Sequence, residues 1–97
     1  SLPEFAVWSL IAQTVDFVIH IDLVRNEFAD GVPTRRVTSI IEIGGLGENG
    51  GLATTEVWGI GHEHQLVQLA PLSTRHLQRL RIAGYDPKMF APMGAWT

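Results

Sequence analysis

The sequence predicts an α+β unit: an N-terminal helix, an antiparallel β-meander of three to four strands, and a C-terminal helix. Three observations predict it. In the run from Val15 to Val24 the odd positions Val15, Phe17, Ile19, Ile21 and Leu23 are apolar, while the even ones mix Asp16, His20 and Asp22 with valines. That is the period of a strand with one buried face. A second run, Arg35 to Ile43, sets Val37, Ile41 and Ile43 with Ser39 on one face and Arg36, Thr38, Ile40 and Glu42 on a wetter one, where Asp–Arg pairing across the strands is available. Outside these runs the alternation gives way to helix signals at both ends of the chain.

The first helix is expected from a capping box, Ser1-Leu2-Pro3-Glu4, and runs to about Gln13. After the first turn its polar residues are Ser9 and Gln13, four apart on a narrow stripe, so Phe5, Val7, Trp8, Leu10 and Ile11 cover most of its circumference. Such a helix is sandwiched between surfaces, one of which is exposed if the chain is a fragment. Between the first two strands, Arg25 to Thr34 reads as a solvated charged loop, with Asp30-Gly31 as its turn and Pro33 discouraging continued pairing.

The segment Gly45-Leu46-Gly47-Glu48-Asn49-Gly50 matches the G-x-G-x-x-G dinucleotide fingerprint literally. The fingerprint needs a helix behind it, but Gly51-Leu52-Ala53-Thr54-Thr55-Glu56-Val57-Trp58 is rich in strand formers, and Glu48 sets a carboxylate where phosphate would lie. Gly44 to Gly51 is therefore read as a mobile surface turn between antiparallel strands. Leu52 to Ile60 forms the third strand, its core side undecided, and Gly61-His62-Glu63-His64 turns the chain into a short fourth strand, Gln65 to Leu69, ended by Pro71. Ser73 caps the last helix, with Leu72 stapling onto Leu77. Leu77, Leu80 and Ala83 give its apolar stripe and Arg75, His76, Gln78, Arg79 and Arg81 its polar surround, and Gly84 ends it with Tyr85 folding back. The tail through Met89, Phe90, Met93 and Trp96 is expected to be extended or disordered.

The 97 residues make a single unit at most, and a chain of this size buries only roughly 60–65% of its unfolded surface. A hydrophobic fraction of 45% with mean hydropathy +0.14 exceeds what so small a core takes up, which points to contact with further chain or another subunit. No run approaches the ~20 apolar residues of a membrane span, and no basic signal-peptide region opens the chain, so the expected compartment is the cytosol. Cysteine is absent, which removes disulfide and thiolate chemistry. A net charge of −3 with seven Lys and Arg lacks the basic footprint of a nucleic-acid binder.

The stretch Leu10-Ile11-Ala12-Gln13-Thr14-Val15-Asp16-Phe17-Val18-Ile19-His20, then Arg35 to Ile43, then Glu56-Val57-Trp58-Gly59 and finally Gly84-Tyr85-Asp86-Pro87, resembles the end of the type II/IV secretion-system ATPases. More narrowly it is similar to the Flp/Tad pilus-assembly branch in its actinobacterial form. The resemblance spans nearly the whole chain and rests on strand patterns in the right order. It implies the C-terminal subdomain of a larger RecA-like motor whose hexameric rings sit at the cytoplasmic face of an inner-membrane secretion machine. There it would be structural support beside the nucleotide-bearing half, with the remainder of the ATPase chain and neighbouring subunits as partners. ATP and Mg belong to the parent, because the phosphate loop, magnesium-holding acids and histidine box lie upstream in the family.

The residues agree with a supporting part. No G-x-x-x-x-G-K-[ST] motif occurs and the only lysine is Lys88, so no catalytic or cofactor-binding residue is assigned and ATP binding by these residues alone is not expected. His62-x-His64 around Glu63 offers two imidazoles on one strand face, too few for a zinc site without convergent ligands, so no metal residue is assigned. Ser39 and Ser73 lie in no nucleophile motif. Phe5, Trp8 and Ile11 form a candidate interface that drives self-association, through this helix or an open edge such as Leu66–Leu69. Arg35-Arg36 is a second one, since arginines at subunit boundaries of phosphoryl-transfer assemblies reach a neighbour's nucleotide; the plainer reading is a solvated pair, or one bonded to Asp22 or Glu42. Two other classes stand beside the ATPase fragment: a stand-alone interaction module with a small β-meander, and a small enzyme or metal protein built on His62, Glu63 and His64.

Overall fold

The computed structural model describes residues 3–25, 31–62 and 65–90. Helix α1 (Glu4–Thr14) leads into a four-stranded antiparallel sheet of β1 (Phe17–Arg25), β2 (Pro33–Leu46), β3 (Leu52–Ile60) and β4 (Leu66–Gln68). The strands lie in sequence order, so the sheet is a plain meander with β1 and β4 at its edges. Helix α2 (Thr74–Ile82) and a single turn, α3 (Pro87–Phe90), follow. The expected α+β class and meander are present.

Helix α1 starts later than the capping box implies. Its cap is Pro3, in extended conformation with no side-chain bond, and the Pro3 carbonyl accepts from the N–H of Ala6 at 2.9 Å. Ser1 lies outside the described residues. Glu4 accepts instead from Trp8 Nε1 at 3.1 Å. The helix packs on β2 yet buries none of its residues, so among the described residues it is covered on one side, where two were expected.

The expected buried odd face of β1 is corrected. Ile19, Ile21 and Leu23 are 56%, 56% and 67% exposed, because β1 is an edge strand and no other element covers its distal half among the described residues. Pro33 does pair, as the first residue of β2 opposite Arg25, a place where its missing N–H is tolerated. Gly31 carries the positive φ of the loop's turn; Asn26, Glu27 and Asp30 lie outside the described residues.

On β2 the buried residues are Ser39, Glu42 and Ile43, so Glu42, expected on the wetter face, is interior. Neighbours in a strand point to opposite faces, and burial of both Glu42 and Ile43 means that the sheet is covered on both sides there. Bulges at Thr38, at Val57 and at Gly44 reset the alternation along the ladder. Gly44 and Gly45 belong to β2, so the turn is shorter than expected: it runs from Gly47 to Gly51 and is closed by Gly47 N–H on Gly51 O at 2.6 Å. A strand follows it, as the composition required. The core side of β3 is Val57 and Gly59.

In α2 the Ser73 hydroxyl accepts from the N–H of His76, the predicted cap. Gly84, at φ 102°, ends the helix; its N–H bonds Arg81 O and that of Tyr85 bonds Leu80 O, a Schellman closure. Asp86 then accepts from the Lys88 N–H, starting α3 where an extended tail was expected, and the residues after Phe90 lie outside the described ones. Burial in α2 falls on His76, which the sequence placed in the polar surround, while Leu77 and Leu80 are half-buried.

Among the described residues only Ile43 and Val57 are fully buried hydrophobics. The accessible surface is 7567 Å², against about 5,500 Å² for a compact monomer of this mass. The radius of gyration, 16.3 Å, exceeds the roughly 12–13 Å of a compact chain this long.

Candidate functional site: a buried ionic cluster

The charged groups that converge come from three separate places in the chain. Asp16 ends the α1–β1 joint, Glu42 sits mid-β2, and Ser73, His76 and Arg79 lie on α2 and its cap. The His76 side chain is 2% exposed, with Nδ1 at 2.6 Å from Glu42 Oε2 and Nε2 at 3.1 Å from Asp16 Oδ1. Each ring nitrogen thus faces a carboxylate oxygen, and the Arg75 guanidinium lies 3.2 Å from the same Nε2. Ser73 donates its hydroxyl to the same Glu42 oxygen at 2.9 Å and its backbone N–H to both carboxylate oxygens at 3.2 and 3.1 Å. Arg79 Nη1 reaches Asp16 Oδ1 at 3.3 Å, and the Phe17 ring tilts over the imidazole at 4.9 Å.

Electrostatics follow from this geometry. Burial tends to raise the Glu42 carboxyl, but the bonds from His76 and Ser73 outweigh it and hold the group below its ordinary value. Asp16 is likewise lowered, first by its hydrogen bond from His76, with Arg79 adding to the effect against some desolvation. At the other end of α2, Tyr85 is raised by burial and by the Asp86 charge.

Serine, histidine and carboxylate stand together here, yet the arrangement is no nucleophilic site. The Ser73 hydroxyl donates to Glu42 and accepts from the His76 backbone N–H, and Nδ1, 3.3 Å from the hydroxyl, lies closer to Glu42 at 2.6 Å, so the imidazole is directed at the carboxylate and not at the serine. The ligand-type atoms also point at one another and not at a common centre, and no group of three metal-ligating residues forms a metal site among the described residues. The cluster can do one thing well: it ties the first turn of α2 to β2 and to the start of β1. A cleft of about 310 Å³ beside it is lined by Asp16, Phe17, His76, Arg79 and Leu80.

The residues singled out from sequence lie elsewhere. Phe5, 62% exposed, and the half-buried Trp8 line an open cleft of about 480 Å³ between α1 and the Gly47–Gly51 turn, and Ile11 is half-buried on the same helix. Arg35 and Arg36 are exposed at the start of β2, opposite Leu23 and Asp22. Asp–Arg pairing across the strands was expected, and Arg36 does stand opposite Asp22, but Asp22 accepts from Thr38 Oγ1 at 3.0 Å and faces His20 Nε2 at 3.4 Å, and Glu42 is committed to α2. His62 is exposed beyond β3, and Glu63 and His64 lie outside the described residues. Asp16, Glu42 and His76 were not singled out. The available signals were a lone carboxylate inside Ile40-Ile41-Glu42-Ile43 and a histidine three residues after an N-cap serine.

Compared with known proteins, the chain matches no family model, and no curated protein or solved structure is significantly similar to it. Among the described residues no helix is long and apolar enough to cross a membrane.

Proposed function

We propose that this chain is the C-terminal part of the motor domain of a secretion or pilus-assembly ATPase of the Flp/Tad branch, extending a RecA-like core sheet and bracing its nucleotide-bearing half. The observation that carries the reading is the apolar surface left open on α1, where Phe5 and Leu10 are 62% and 56% exposed. Leaving a large apolar side chain in water forgoes roughly 1.5–3 kcal/mol, so this face is made to be covered. The order of motifs supports the family assignment, with a meander followed by a helix capped at Gly84-Tyr85-Asp86-Pro87. In this reading ATP and Mg are bound upstream, the parent forms rings at the cytoplasmic face of the inner membrane, and Arg35 and Arg36 face a neighbouring subunit.

Two measurements test it. The coding sequence upstream of Ser1 should contain a phosphate-loop motif, and the full chain should hydrolyse ATP with a rate that falls when Arg35 and Arg36 are changed to alanine. The 97 residues alone should give no heat with Mg-ATP in titration calorimetry. Micromolar binding by them, or an upstream frame without a phosphate loop, would overturn the reading. The same open surface favours the second reading, a stand-alone interaction module, which the latter outcome would select.

A further inference from the structure

We propose that the free edge of β1 is a self-pairing strand, along which a second copy of the chain docks antiparallel about a two-fold axis at Ile21. The edge is open: the strand order is β1-β2-β3-β4, and among the described residues nothing pairs with the outer side of β1. It is also unprotected. Edge strands are ordinarily blunted by proline, charge, bulges or shortness, whereas β1 is nine residues long without proline or lysine, carries its charges at Asp22 and Arg25 alone, and reads FVIHIDLVR.

The sequence of the edge complements itself in one register. Centred on Ile21, antiparallel pairing sets Ile21 opposite Ile21, His20 opposite Asp22 of the second copy, Ile19 opposite Leu23 and Val18 opposite Val24. Residues directly opposite share a face. Within one copy His20 Nε2 already lies 3.4 Å from Asp22 Oδ1, so the two copies would form a square of alternating imidazoles and carboxylates. Neighbouring registers lose this. Centring on Asp22 opposes two carboxylates, centring on His20 sets Asp22 against Val18, and a one-residue slip sets Asp22 against Ile21. The bulge beside His20 leaves β1 itself regular, because the extra residue, Thr38, is in β2.

The surface available fits a dimer. Val18, Ile19, Ile21 and Leu23 are 45%, 56%, 56% and 67% exposed, so both faces of the strand offer apolar area to a second copy. The proposal stands apart from the ATPase reading, since it uses only the edge of β1.

The chain has no cysteine, which makes cross-linking clean. Ile21→Cys should form an intermolecular disulfide under mild oxidant, because opposed Cα atoms lie about 4.5–5.5 Å apart. Leu23→Cys should not, since its two copies fall roughly 13 Å apart along the strands. By sedimentation equilibrium, His20→Asp should raise the dimer dissociation constant roughly tenfold by opposing carboxylates, and H20D/D22H should restore it. Circular dichroism of each variant checks that the monomer fold is kept. A monomer at millimolar concentration would overturn the proposal. So would equal cross-linking by both cysteines, or a dimer that dissociates with Phe5→Asp and ignores His20→Asp.

Discussion

The α2–β2 junction and the α1–β1 side of the same sheet invert the usual distribution of polarity. At the junction, Glu42 and His76 are 4% and 2% exposed and every polar atom has a partner. On the other side, Phe5, Leu10, Ile19, Ile21 and Leu23 stand more than half in water. The difference separates two jobs. Buried polar groups with demanding geometry fix where α2 sits, because a shift of an ångström breaks four hydrogen bonds to one carboxylate. Apolar faces without geometric demand supply binding energy to whatever covers them. The chain thus carries its own internal clamp and leaves its adhesive surface outward.

Breaking the clamp should have the largest effect. His76→Ala leaves Glu42 buried with an unpaired charge, and the expected loss in urea unfolding is about 3–5 kcal/mol. A double change, Glu42→Met with His76→Leu, removes the buried carboxylate together with its imidazole partner and should recover most of that loss. If the single change costs under about 1 kcal/mol, the cluster does not hold the helix.

Acid offers a second way to break it. The carboxyls of Glu42 and Asp16 are both lowered in the folded state, below 4.5 and 3.8. Their contribution is present above those ordinary values and is lost as pH falls through the folded ones, since the unfolded chain then binds more protons. Unfolding followed between pH 6 and 2 should therefore show stability dropping below about pH 4.5, and the Glu42→Met, His76→Leu variant should show a shallower drop. Asp16, whose side chain is 42% exposed, contributes the smaller share.

Changes on the open side should move association and not folding. Leu23→Thr removes exposed apolar surface from β1 and should shift unfolding by less than about 0.5 kcal/mol while weakening self-association in sedimentation. Gly84→Ala lies between the two regimes: its φ of 102° suits glycine, and the substitution should cost about 1 kcal/mol, measured by the same urea titration.

What the sequence shows and what it hides follow the same division. Strands, the glycine turn and the limits of α2 were legible because each rests on neighbours in the chain: alternation for β1 and β2, strand formers for β3, the glycines from Gly44 to Gly51 for a turn that proves shorter, Ser73 and Gly84 for α2, while the cap of α1 was placed too early. The cluster was not, because Glu42 and His76 are 34 residues apart and each polar type predicts an outward position. Burial on β1 was misjudged for a related reason. Alternation reports which residues share a face, but whether that face is covered depends on the place of the strand in the sheet, and β1 is an edge. Pro33 was read as a stop because its missing N–H was weighed without knowing that it would fall at a strand start.

Amide hydrogen exchange across a dilution series sets the two regions against each other in one measurement. The clamp acts within one chain, so N–H groups of α2 and the middle of β2 should be protected equally at every concentration. The outward N–H groups of β1 should exchange fast when dilute and gain protection as concentration rises. Concentration-independent protection of β1, or an α2 that exchanges as fast as β1, would contradict a molecule held together by its buried charges and left open along its apolar edge.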